Sequence, residues 1–524
     1  FITELSVPKK GGSLSIPLPQ LDTLNPLLTQ SKELISFFGL IYEGIFSFDQ
    51  DLKPVPALVE KWEVAEDAKR WSFYLKKGLK WHNGEELTAE DVKFTFEIIR
   101  HFPEATNSYY GQNLLKSASI ESFEIEENDP YAFIITLNEP VSNLCALLTF
   151  PILPKSVYQS INFVGENYRV IDLALLVGTG PYKVDIQRSD VEKQIWLVRN
   201  TGWWGNEPYI DSIIAKIYEN NEEERLAFQK GEVDLVDTHV LFAEHYAVGE
   251  GIQLYRYLTQ NYDFIGINFK GNSPLLDRRV RQAIAYGLDR KDIIFRVYFN
   301  NALAVDVPVP SDSWLYNPNS RIYDYQPDKA IEILTDAGWT NLDEDIYLEK
   351  MNENETLELS FTLITDEDDS VRKDVAKIIQ EQMKLIGIRV DLQFLPGDKI
   401  KQILLEGNLA DAGFDAILAG YGLDLAGNLY FAFHSSQIGN EFNNFIGYSN
   451  QELDELLDRA RITTDERELA NIYKDIQTHL IKELPFISLY FRTNSLLVKG
   501  KVKGIKTPRD MQIYNNIEEW YLEE

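Results

Sequence analysis

The side chains that could carry out chemistry are few and badly spaced for it. The six histidines are His82, His101, His239, His245, His434 and His479. No pair of them has the H-E-x-x-H spacing that sets two imidazoles on one helix face around zinc. No G-x-S-x-G elbow presents a serine nucleophile. The single cysteine, Cys145, lies in the apolar run VSNLCALLTF, where it reads as a small buried hydrophobe and can form neither an intrachain disulfide nor a thiolate cluster. Gly178-Thr179-Gly180-Pro181-Tyr182 invites a phosphate-loop reading, but neither a Walker lysine nor the third glycine of a dinucleotide loop follows. A tight turn entering a strand accounts for it. The acidic runs at 342–345 and 366–369 lack the glycine and ligand spacing of an EF-hand. Carboxylates are numerous enough that folding could bring a hydrolytic pair together, yet no spacing favours one. Binding rather than turnover is expected, with no cofactor and no resident metal.

The elements that must position a binding site centre on Asn261–Tyr298, NYDFIGINFKGNSPLLDRRVRQAIAYGLDRKDIIFRVY. Tyr262, Phe264, Ile265, Ile267 and Phe269 form a short apolar run expected to be a mostly buried strand. Gly271, Asn272, Ser273 and Pro274 break it. Asp277 is placed to cap a helix with an apolar face of Val280, Ala283, Ile284 and Gly287; Arg278, Arg279 and Arg281 fall mostly on its other side. Asp289 can cap a second helix. Upstream, Ser31 can cap a helix, and Thr88 with Asp91 forms a capping box. Ser108-Tyr109-Tyr110-Gly111 reads as loop. Downstream, Leu357–Ile364, Val371–Ile386 and Ile388–Phe394 read as strand, helix and strand, the alternation of α/β units. Residues 341–356 read as a surface excursion. Two helices and the strand PFISLYFR follow the glycine-rich GYGLDLAGN.

A chain of 524 residues exceeds one ordinary core, so at least two lobes are expected. Its formal charge is 51 − 82 = −31, which leaves no basic footprint for nucleic acid and repels an anionic membrane surface. No apolar stretch reaches the ~18 residues that span a bilayer. Aromatic residues make up 12%, which suits both core filling and a stacking cavity.

Several stretches stand in the order seen in one family. They are "LNP" with "YEGI", Trp81-His82-Asn83-Gly84 with "TAEDV", PILPKSVY, GTGPY with its "N..W.G.P..D" continuation, and VRQAIAYGLDR. Together they resemble bacterial extracellular solute-binding proteins of family 5, the oligopeptide, dipeptide and nickel-chelate receptors of ABC importers. The resemblance implies a two-lobed α/β periplasmic-binding-protein-like fold of type II with an extra subdomain in the first lobe. Lobe I is expected at 1–262, with the subdomain at about 46–170, and lobe II at 263–490. Residues 491–524 return to lobe I. Tyr262–Phe269 and Pro485–Arg492 match the two hinge strands. The implied function is capture of peptides in an interlobe cleft by hinge closure, and delivery to a permease driven by ATPase subunits. The protein would act as an extracytoplasmic monomer, its only membrane contact a lipidated cysteine that many members carry upstream.

The resemblance also points to the ligand. In peptide-binding relatives an aspartate in the glycine-rich loop after an "FDA" strand receives the peptide ammonium. Asp424 is the only acid in GYGLDLAGN, and both that role and a turn-capping role fit it, since Ala426-Gly427-Asn428 replaces the family's Asp-Pro-Asp. Tyr421, Tyr109 and Trp314 are candidate walls. Other cargoes remain open: an oligosaccharide stacked on tryptophan, a nickel chelate held by His434, or an unfolded segment in a peptide-holding chaperone. Trp203 and Trp204 read as structural, as does His82. In dipeptide receptors the strand-to-helix region carries an arginine that clamps the ligand carboxylate. Here that region reads TDEDDSVRK; Arg372 falls inside the helix, and Asp366, Glu367, Asp368 and Asp369 either cap it or select basic ligands.

Overall fold

The structure, a computed structural model, describes residues 8–161, 172–238, 251–342, 345–351, 355–406, 413–425, 427–439 and 443–523. His239, His245 and Ala426 lie outside the described residues. The chain divides into two compact units, residues 1–257 with 494–524 and residues 258–493. It passes from one unit to the other twice, inside the strands Ile252–Ile267 and Phe486–Lys499.

The first unit opens with the strand Ser13–Pro19, which pairs in parallel with Ser212–Tyr218. Gln194–Arg199 and Tyr182–Val184 extend this sheet antiparallel. Alternation drives the pairing: Leu14, Ile16 and Leu18 are buried on one face, as period-two patterning requires. A second sheet, ordered Val59–Val64, Arg70–Leu75, Ala132–Leu137, Ile120–Ile125, carries a ladder of stacked rings. Trp71 lies 6.3 Å from Phe73, Phe73 5.2 Å from Phe133, and Phe133 4.9 Å from Phe123. The Thr88–Asp91 capping box starts the helix Ala89–His101. Ser108 differs from expectation. Its hydroxyl accepts from Gly111 N at 3.2 Å and caps a helix, Tyr109–Ser117, where loop was expected. Gly111 permits this turn because a Cβ there would stand 2.0 Å from Ala105 O.

In the second unit Ile252–Ile267 runs antiparallel to Ala416–Gly422, with Tyr262 opposite Tyr421 and Asp263 opposite Gly420. Ser360–Asp366 and Arg389–Leu395 continue the sheet in parallel, connected by the helix Ser370–Leu385. Asp277 and Asp289 cap their helices through Arg279 N and Asp292 N. Arg281 was expected on the polar side of its helix and is instead buried at 3% exposure. Its guanidinium donates to Glu483 O at 2.6 and 2.9 Å and to Leu275 O at 2.8 Å. These carbonyls, one nearby and one 202 residues away, supply the partners a buried cation needs. Residues 341–356 include the hairpin strand Glu349–Met351, which pairs with Thr356–Glu358.

Candidate functional site

The strand Ala416–Gly422 hands the chain to the glycine-rich loop that carries Asp424. Asp424 Oδ1 accepts from Asn428 N at 3.3 Å, and Asp424 O accepts from Gly427 N at 3.4 Å. The carboxylate therefore does tighten its own turn. The loop is fastened from outside by the helix Glu466–Glu483, whose Tyr473 hydroxyl donates to Gly427 O at 2.6 Å. Gly427 has φ +70°, and a Cβ there would lie 3.0 Å from Leu315 Cδ1, so only glycine lets the two segments meet without strain. One turn further along the same helix, Gln477 Nε2 donates to Leu315 O at 2.8 Å while its Oε1 accepts from Asn317 N at 2.9 Å. One helix thus fixes both the Asp424 loop and the turn that carries half-buried Trp314.

Tyr421 is the penultimate residue of the strand that leads into this loop. Its ring centroid lies 5.2 Å from Phe264, 5.3 Å from Phe431 and 5.8 Å from Phe445. Burial, and then the neighbouring Tyr262, push its phenol well above the usual range, so the ring stays neutral. In the second unit Tyr421 and Asp424 thus stand on consecutive stretches of strand and loop, and the Leu315 turn that follows Trp314 lies against Gly427 of that loop. Tyr109 belongs to the first unit, where its ring meets Tyr110 edge-on at 5.2 Å.

The same sheet holds a charge cluster that sequence reading overlooked. Asp263 is buried, its side chain 1% exposed, between two arginines. Arg492 Nε and Nη2 reach its two oxygens at 2.7 and 3.0 Å, and Arg372 Nε and Nη2 both reach Oδ1 at 3.0 Å. Arg372 crosses the neighbouring strand at Gly420, where a Cβ would stand 2.5 Å from its Nη2. Burial works against the Arg492 charge, but the Asp263 bonds outweigh it and hold that guanidinium protonated more firmly than usual. The signal was present in the sequence: an acid inside the apolar run NYDFIGINF needs a cation. Its partners lie 109 and 229 residues away and could not be read locally. Within the acidic run, Asp369 caps the helix at Arg372 N at 2.9 Å, and Asp366 Oδ1 accepts from Asp368 N at 3.0 Å.

Histidines play supporting parts. His82 Nδ1 accepts from Gly178 N at 3.3 Å, which leaves Nε2 to donate to Gly180 O at 3.0 Å. Burial lowers this imidazole to about 4, so it braces the GTGPY turn as a neutral ring. His434 is 8% exposed and stacks on Tyr430 at 4.2 Å. Its Nδ1 accepts from Ser436 N at 3.1 Å. Among the described residues no group of three His, Cys, Asp or Glu side chains is placed to hold a metal ion.

Glu43 of the "YEGI" stretch is the other missed group. It takes hydrogen bonds from Thr179 Oγ1 at 2.8 Å, Trp203 Nε1 at 3.3 Å and Trp204 Nε1 at 3.0 Å. This explains why both tryptophans are structural. Burial raises the carboxyl to about 7 against these bonds and the charge of Lys76. A carboxyl raised on folding stabilises most below its unfolded value of 4.5 and loses that contribution as pH climbs to about 7. Glu43→Gln is therefore expected to remove up to ~3 kcal/mol of pH-dependent destabilisation over that window. Urea unfolding at both ends of the window checks this, and identical slopes for native protein and variant would refute it.

The family model for bacterial extracellular solute-binding proteins, family 5 (middle), matches residues 53–441. The oligopeptide-binding protein AppA of Bacillus subtilis is 27% identical over 98% of this chain and 92% of its own length. The dipeptide-binding protein of Escherichia coli is 24% identical over 86% and 83%. Among solved structures, Bacillus subtilis AppA in complex with a nonapeptide covers 99% of this chain and 100% of its own, at 25% identity and a TM-score of 0.64. HbpA2 of Haemophilus parasuis reaches a TM-score of 0.81 at 20% identity, covering 98% and 100%, which supports the same two-lobed α/β fold. No helix among the described residues is long and apolar enough to cross a membrane. The match spans well over half of the chain and agrees with the fold: the protein belongs to the bacterial extracellular solute-binding proteins of family 5.

Proposed function

We propose that the chain is the peptide-capturing receptor of an ABC importer. It works outside the cytoplasm as a lipid-anchored monomer and delivers cargo to a permease coupled to ATPase subunits. The observation that carries the peptide reading is in the second unit: a half-buried carboxylate, Asp424, in the loop that follows aromatic Tyr421, with that loop and the turn after Trp314 both held by one helix. A carboxylate suits an ammonium, and aromatic walls accept varied side chains without demanding one shape. The relatives named for oligopeptides and dipeptides, and the nonapeptide complex of AppA, support the same cargo. His434 is buried, engaged through Nδ1 and packed on Tyr430, with Nε2 3.4 Å from Asp458 Oδ1, which favours a structural part for it over a nickel-chelate ligand. Calorimetric titration with short and long peptides, a nickel–histidine chelate and an oligosaccharide tests the reading. Peptides are expected to bind at ~1 μM or tighter, about 8 kcal/mol. Tighter binding of the chelate or the sugar, or no heat with any peptide, would overturn it.

A further inference from the structure

The start of the Asp424 loop is held in register by the sheet, since Leu423 N donates to Gln260 O at 2.9 Å. Past Asp424 the turn is drawn together by two long bonds, Gly427 N to Asp424 O at 3.4 Å and Asn428 N to Asp424 Oδ1 at 3.3 Å. The bond from the Tyr473 hydroxyl to Gly427 O is much shorter, at 2.6 Å. Gly427 O and Asn428 N belong to a single peptide group, which is planar and points its C=O and N–H to opposite sides. That group is gripped at both ends: Tyr473 holds the oxygen, and the N–H meets the Asp424 carboxylate. A donor on the carbonyl also polarises the peptide and strengthens its N–H bond to the carboxylate. Tyr473 itself is well fixed. It is 7% exposed, and its backbone oxygen accepts at 2.9 Å from Gln477 Nε2, the same amide nitrogen that holds Leu315 O. Burial, and then the charge of Asp424, push its phenol up, so the hydroxyl keeps its proton and remains a donor.

We propose that Tyr473 is a positioning residue for the ammonium acceptor: through the Gly427–Asn428 peptide its hydroxyl fixes the orientation of the Asp424 carboxylate and so sets the selectivity for peptides with a free amino terminus. Tyr473 acts here through one peptide group and not by touching the ligand. A carboxylate held in place meets an ammonium without first losing rotational freedom, which is the gain preorganisation supplies. The inference rests on the peptide reading, in which Asp424 receives that ammonium.

The test offers the full chain, in limiting amount, a library of mixed-sequence pentapeptides without lysine, half of them acetylated at the amino terminus. Mass spectrometry of the retained peptides gives the ratio of free to acetylated forms. The native protein is expected to favour free amines by more than ~10-fold. Tyr473→Phe, which keeps the ring, should lower that ratio by ~3-fold or more, the effect of one hydrogen bond. On an Asp424→Ala background the same substitution should leave the ratio where it is, because the two residues act in one chain of bonds. A purely structural part for Tyr473 would weaken both peptide classes alike. An unchanged ratio in Tyr473→Phe, or a drop of equal size on the Asp424→Ala background, would therefore overturn the proposal. Equal retention of both classes by the native protein would instead remove the ammonium role of Asp424, a failure seen before any variant is compared. Should circular dichroism show that Tyr473→Phe does not fold, Tyr473→Leu takes its place with the same outcomes.

Discussion

Asp263→Ala is expected to lower folding stability by about 3–5 kcal/mol, the usual result of removing one member of a buried ion cluster. Among the described residues Asp263 is the only acid that both Arg372 and Arg492 share, and its side chain is 1% exposed. Without it, two partly buried guanidiniums face each other at the centre of the second unit's sheet. Arg372 keeps one carboxylate, Asp369, at 3.4 Å; Arg492 keeps the Tyr298 ring at 5.7 Å. Neither replaces the charge-assisted bonds to Asp263. Urea unfolding of native protein, Asp263→Ala, Arg492→Met and the double variant measures the effect. The double variant should cost less than the sum of the singles by at least ~1 kcal/mol, because the members of one network couple. Strict additivity, or a single-variant loss below ~1 kcal/mol, would show that the cluster does not hold the sheet together.

The second large effect concerns the ligand. If Asp424 receives a peptide ammonium, Asp424→Ala leaves that cation without its counter-charge and costs ~2–5 kcal/mol of binding, more than tenfold in affinity. Part of the loss could come from the turn that Asp424 tightens through Asn428 N. Asp424→Asn separates the two effects, since it keeps the acceptor for Asn428 and removes the charge. The charge reading expects Asp424→Asn to bind nearly as weakly as Asp424→Ala, and expects native protein to prefer free-amine peptides over N-acetylated ones. If Asp424→Asn binds like native protein, or acetylation makes no difference, the carboxylate serves only the loop.

Local rules made much of this fold legible. The caps at Ser31, Thr88, Asp277 and Asp289 rest on side chains within three residues of the donors they serve. The strand–helix–strand succession from Ser360 to Leu395 followed from period. Ser108 shows where such rules fail. Its hydroxyl can start a helix only because Gly111 lets the preceding turn fold back against Ala105 O. Arg281 and Asp263 fail for the opposite reason: their burial depends on partners 109 to 229 residues distant, Glu483 for Arg281 and Arg372 and Arg492 for Asp263. The candidate site divides along the same line. Asp424 stood out as the lone acid of a glycine-rich loop. That the turn after Trp314 is held beside this loop depends on Tyr473 and Gln477, two residues of a helix whose periodicity declares only its apolar face.

Native mass spectrometry of the protein, purified without any denaturing step from cells grown on a peptide-rich medium, addresses peptide capture most directly. The account predicts a population heavier than the bare chain by peptide masses, which dissociates on activation and sequences as peptides with free amino termini. The same preparation of Asp424→Ala should carry far less of it. A bound population consisting of metal chelate or carbohydrate, or peptides retained equally by native protein and Asp424→Ala, would contradict it.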